Sequence, residues 1–177
     1  MLAAPDLSYP IGRFDLQRPI GPEERPELID IIETAPARFR EAVRGLDDAQ
    51  LDTRYRPGGW TVRQVAHHVA ESHMHASLRF RWALIDDNPA VKAFEEAKWA
   101  ELYDARTMAV EPSFLVLEGL HARWAALMRS MTDAQFARTY QHSELGKVSL
   151  DRVLGLYAWH SRHHAAHITS LRERTNW

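Results

Sequence analysis

The chain has 177 residues, 45% hydrophobic and 26% charged, with 22 Lys+Arg against 24 Asp+Glu for a formal net charge of -2, and it has no cysteine. That length fits a single domain, residues 1–177, able to bury roughly 70% of its unfolded surface. The balanced charge argues against an electrostatic nucleic-acid or membrane binder, and the missing cysteines exclude disulfides, thiolate metal ligands and a cysteine nucleophile.

Residues 1–21 are rich in proline, glycine and charge and predict an extended arm. The arm has no basic segment followed by a long apolar run, so no signal peptide is expected. No apolar stretch approaches the ~20 residues of a membrane span, and the expected location is cytoplasmic. A helical pattern starts near Pro22 to Pro26 and carries Leu28, Ile31, Ile32, Phe39 and Val43; Pro36 predicts a kink or brief break in it. Asp47 has the character of an N-cap for a short helix, DDAQLD, followed by the loop TRYRPGG. Thr61 then caps a long helix to about Ile85, stopped by Asp86, Asp87, Asn88 and Pro89.

A further helix is expected from Lys92 to Asp104, and another opens at Pro112. Thr132 and Gln135 have capping-box spacing for a short helix, TDAQFAR. The segment TYQHSELGKVSL carries a modest strand or turn signal around Gly146. Ser149 or Asp151 caps a final helix that runs nearly to the end despite Gly155. One repeat stands out: LDDAQLDTRY (46–55) resembles MTDAQFARTY (131–140), each between a long helix and a histidine-bearing helix. The order predicts an all-α fold, a four-helix bundle built as two helical hairpins related by a pseudo-twofold.

The last helix carries His160, His163, His164 and His167, spaced i, i+3, i+4 and i+7 and continuing the apolar stripe of Val153, Tyr157 and Leu171. Imidazoles pointing into a core must be hydrogen-bonded or bound to a metal. His160 and His164 project from one face about 6 Å apart along the axis, the two-histidine spacing of helical zinc sites. Ser161 occupies the place where a metalloprotease helix has its glutamate, so this is not that signature. A third imidazole comes from the Thr61 helix. His68 shares a face with Val62, Val65, Val69 and Ser72 and is chosen over His67, the fallback. Three nitrogen ligands with one open position suit catalysis. His163 and His167 flank the site, Tyr157, Trp159 and Trp60 are candidates for its mouth, and Glu71 is the candidate helper, either orienting an imidazole or shuttling a proton or, equally, ion-paired with Arg63. His75, His121 and His142 are expected at the surface, and the runs RFRW (79–82) and RERTNW (172–177) on solvated helix faces or in dimer contacts. The chain lacks a phosphate-binding G-x-x-x-x-G-K-[ST] loop, a dinucleotide G-x-G-x-x-G fingerprint and a G-x-S-x-G nucleophile elbow.

The segments YPIGRFD, GGWTVRQVAHHVAESHM, RFRWAL, LHARWAALMRSMTDAQF and LGLYAWHSRHHAAHITSL together resemble the DinB-like superfamily, and within it the YfiT branch of metal-dependent hydrolases related to bacillithiol transferases. The resemblance spans nearly the whole chain and implies a four-helix bundle with pseudo-twofold symmetry. It also implies a metal triad of one histidine eight residues after the tryptophan and two from H-x-x-x-H on the last helix, here His68, His160 and His164, with one divalent ion, zinc or nickel, per chain. The activity it implies is joining a small-molecule thiol to an electrophilic substrate, with metal-dependent hydrolysis and non-catalytic metal binding in a stress protein as alternatives. A homodimer is the implied assembly.

Overall fold

A computed structural model describes residues 6–177, so the first five residues of the arm lie outside the described part. Four long helices form the body: α1 (Arg25–Val43), α3 (Val62–Ile85), α6 (Glu111–Arg129) and α8 (Leu150–Thr175). Each buries residues at alternating spacings of four and three. On α3 these are Val62, Ala66, Val69, His73, Ala76, Phe80 and Ala83; on α6 they are Phe114, Leu117, His121, Trp124 and Met128. That rhythm keeps one stripe of a helix facing its neighbours and is what makes the sequence a bundle.

Short helices close the ends: α2 (Asp48–Leu51) and α7 (Asp133–Phe136) start on the capping boxes at Asp47/Gln50 and Thr132/Gln135. The long helices also start where the sequence placed their caps, at Thr61 and Ser149. Three expectations change. α1 runs unbroken through Pro36. The stretch from Lys92 to Asp104 is not one helix but two short ones, α4 (Glu96–Trp99) and α5 (Tyr103–Thr107), preceded by strand β1 (Ala90–Val91). Trp99, Leu102 and Tyr103 are partly or largely exposed there, so a long helix would have too little buried surface to support it. The strand signal around Gly146 becomes a hairpin of β2 (Thr139–His142) and β3 (Gly146–Ser149), turning at Gly146 with φ +71°. β1 adds parallel to β2, giving the order β1-β2-β3 with Tyr140 opposite Val148.

The third change is in topology. α1 packs on α6 and α8, and α3 packs on the same two helices, so α1 lies diagonal to α3 and α6 diagonal to α8, and neither pair forms a hairpin of neighbours. The α2 and α7 segments carry the chain across the two ends. The diagonal arrangement puts the two histidine helices, α3 and α8, side by side. Among the described residues no helix is long and apolar enough to cross a membrane.

The apolar core comes in two clusters. One contains Ile32, Phe80, Trp124, Leu150 and Leu154; the other contains Phe39, Val62, Val65, Phe114 and Ile168. Between them, at mid-height on α3, α6 and α8, sit His73, His121 and His160. The described arm runs along α8: Trp159 Nε1 donates to Gly12 O at 3.2 Å, and a Cβ on Gly155 would stand 2.8 Å from Ile20 Cδ1.

Candidate metal centre

The centre forms where α3 and α8 meet. His68 Nε2 lies 3.3 Å from His160 Nε2, and His164 Nε2 lies 3.1 Å from the same atom. One donor nitrogen from each of the three falls within 4.8 Å of the others. Two nitrogens bound 2.0–2.1 Å from a tetrahedral zinc ion stand about 3.3 Å apart, so the observed spacing matches that of ligands around an ion. His68 and His164 are 5% and 7% exposed, and half-buried His160 opens onto the cleft.

Burial dominates the electrostatics. It pushes His68 down to about 3, helped by the charges His163 and His167 would carry, and holds His160 and His164 well below the ordinary imidazole range. All three are therefore neutral at pH 7, the form that binds metal. The Nδ1 atoms of His68 and His164 have no hydrogen-bond partner among the described residues, which leaves these rings free to turn either tautomer inward. The chemistry of the donor set and its spacing both fit a divalent ion.

His67 and His68 separate cleanly. His67 faces away, with Nδ1 2.7 Å from Ser113 Oγ and Nε2 3.2 Å from the Met108 carbonyl. Glu71 also misses the site. Burial and the nearby Asp104 raise its carboxyl to about 7, and it does not line the cleft; Arg63 pairs with Asp48 and Asp52 instead. His163 stacks on Trp159 with ring centroids 4.3 Å apart, while His167 stacks on Tyr55 at 3.9 Å and donates from Nε2 to Ser8 O. His167 thus ties both the arm and the loop at Tyr55 to α8, and the His163 ring lies 5.6 Å from the Tyr9 ring of the arm. His163, His164 and His167 also come close enough to form a second trio, which shares His164 with the first.

A cleft of about 610 Å³ leads to the histidines. Tyr157, Trp159 and Trp60 all line it, together with Tyr9, Arg56 and Phe94. Trp60 and Phe94 cover His68 at centroid distances of 4.6 and 5.9 Å. The carboxylates lining the cleft are Glu96 and Glu144, both exposed.

Two surface expectations fail: His121 is 0% exposed and His142 is 6% exposed, whereas His75 is half-buried against Phe94. Arg79, in the run expected on a solvated face, is buried and donates to Lys92 O at 2.9 Å. His73 and His121 are core positions, and the four-three rhythm of α3 and α6 passes through both. The signal was in the spacing, masked by their polarity.

A family model described as the DinB superfamily matches residues 31–168. A Bacillus cereus (strain 03BB102) protein named "Putative metal-dependent hydrolase" is 50% identical over 172 residues, covering 97% of this chain and 99% of its own. A Bacillus thuringiensis subsp. konkukian protein of similar name is also 50% identical over the same share. Among solved structures, YfiT from Bacillus subtilis, described as a probable metal-dependent hydrolase with an unusual four-helix bundle topology, superposes with a TM-score of 0.93 at 45% identity, covering 97% of this chain and 98% of that one. A mycothiol-dependent maleylpyruvate isomerase shares the fold at a TM-score of 0.64 and 16% identity, over 81% of this chain and 60% of that one.

Proposed function

This chain belongs to the DinB superfamily, and we propose that it is a metal-dependent enzyme in which His68, His160 and His164 hold one divalent ion, zinc or nickel. The observation that carries this reading is the convergence of three neutral imidazoles at 3.1 and 3.3 Å, ligand spacing with no protein group between them. A divalent ion with one position open supplies a Lewis acid that lowers the pKa of a water or a thiol. The protein's own groups supply the rest. Trp60 and Phe94 keep water off His68, and Tyr9 and Arg56 shape the entrance.

Within that class the site favours transfer of a small-molecule thiol to an electrophilic carbon. A thiol ionises near pH 8.5, so a modest lowering of its pKa yields a thiolate without a separate base. Water starts from a pKa of about 15.7 and needs a far larger lowering; the carboxylates lining the cleft, which could assist its deprotonation, are exposed, and Glu71 does not line it. The chain has no cysteine to compete for the ion. Hydrolysis at the same centre is the second reading, favoured by the names of the relatives. Zinc-loaded protein incubated with a reactive electrophile, with and without small thiols, separates the two. Metal-dependent thiol consumption supports transfer, turnover indifferent to thiols supports hydrolysis, and no turnover with metal bound would refute the enzyme reading in favour of a metal-binding protein.

We also propose a homodimer. The exposed apolar residues Met74, Leu78 and Trp82 on α3 and Leu115 and Val116 on α6 support it, and a monomer mass by light scattering would refute it.

A further inference from the structure

The layer that divides the core is a continuous run of imidazoles touching all four long helices. It begins at the Ile32 carbonyl on α1. Pro36, four residues on, has no N–H, so the helix bond that this carbonyl would accept from residue 36 cannot form. His121 of α6 reaches that carbonyl with Nδ1 at 2.5 Å. His121 Nε2 lies 2.9 Å from His73 Nδ1 on α3, and His73 Nε2 lies 3.1 Å from His160 Nδ1 on α8. His160 Nε2 then faces His68 and His164.

The direction of every bond in this run is forced. A carbonyl oxygen only accepts, so His121 must carry its proton on Nδ1, which leaves Nε2 as a lone pair. His73 must then donate from Nδ1 and accept at Nε2, and His160 must donate from Nδ1. His73 and His121 are 0% exposed, so water does not interrupt the sequence. The run ends on a carbonyl that cannot take the proton, so it is not a path for moving one. We propose that His73 and His121 are positioning residues for His160: anchored on the carbonyl that Pro36 leaves free, they hold His160 in its Nδ1–H tautomer and aim its Nε2 lone pair at the metal centre. A ligating histidine ordinarily donates its second nitrogen to one carboxylate, carbonyl or water. Here two further imidazoles stand between the ligand and its carbonyl, so a proline on α1 sets a ligand on α8.

The proposal rests on His160 being a metal ligand, and its test separates the two ideas because the first readout uses no metal. Long-range ¹H–¹⁵N spectra of the EDTA-treated wild-type chain at pH 7.5 report which nitrogen of each ring carries the proton. Nδ1–H tautomers at His121, His73 and His160 are expected; an Nε2–H tautomer at any of the three overturns the proposal, whether or not zinc binds. The second readout is Zn(II) affinity by chelator competition. His121→Phe keeps a ring without hydrogen bonds and is expected to weaken zinc binding about 10–100-fold, the usual effect of removing such support. His121→Gln, whose amide both donates and accepts, is expected to recover part of the loss. Wild-type affinity in a folded His121→Phe protein overturns the proposal; should that variant not fold, the wild-type spectrum decides. Failure of the wild-type chain to bind zinc, with the expected tautomers seen, would count against the metal reading alone.

Discussion

Acid should unfold the metal-free protein well above the range where carboxylates titrate. Unfolded imidazoles take up protons near pH 6.5. In the folded chain burial pushes His121 down to about 4, outweighing its bond to the Ile32 carbonyl, and pushes His68 down to about 3. The unfolded state therefore binds more protons throughout this window. The stability these neutral rings contribute is complete above about pH 6.5 and is lost as pH falls toward about 4. Between pH 7.5 and 5.0 each ring then costs about 2 kcal/mol, and the pair about 4 kcal/mol, against a typical total of about 5–15 kcal/mol. Burial also pushes His163 and His167 down to about 4, so they act in the same direction. With a urea dependence of about 2 kcal/mol per molar, the midpoint should fall by about 2 M or more. Urea titrations in EDTA at pH 7.5, 6.0 and 5.0, followed by circular dichroism, measure it. Equal midpoints at pH 7.5 and 5.0 would show that the histidines are not buried neutral and would refute the reasoning.

Three substitutions test the centre and the frame. His164→Ala should purify without stoichiometric zinc or nickel by elemental analysis, whereas His67→Ala, which loses bonds only to Ser113 and Met108, should keep one ion per chain; full metal in the first variant would remove His164 from the centre. Asp47→Ala deletes the acceptor for Gln50 N and should lower unfolding stability by about 1 kcal/mol in denaturant melts without changing zinc affinity, since Asp47 neither belongs to the histidine trio nor lines the cleft.

Much of the frame was legible because it depends on neighbours in sequence. Asp47, Thr61, Thr132 and Ser149 start helices through side-chain bonds to residues three positions on, so spacing alone locates those starts. The pair His160 and His164 is of the same kind, because one turn of helix places both on one face. The choice of His68 over His67 also followed from helical phase. Pro36 shows the opposite case. Its cost to α1 is local and readable, but the bond that offsets it comes from His121, 85 positions later, and no local rule announces it. The same holds for His121, expected at the surface, and for His73: both are polar residues on apolar stripes that neighbouring helices enclose. Chain order likewise suggested hairpins, whereas packing set α1 diagonal to α3. Periodicity and capping are short-range properties carried by the residues in order; the meeting of α3 with α8, the burial that keeps the imidazoles neutral and the direction of their hydrogen bonds exist only once four helices exclude water from a shared interior.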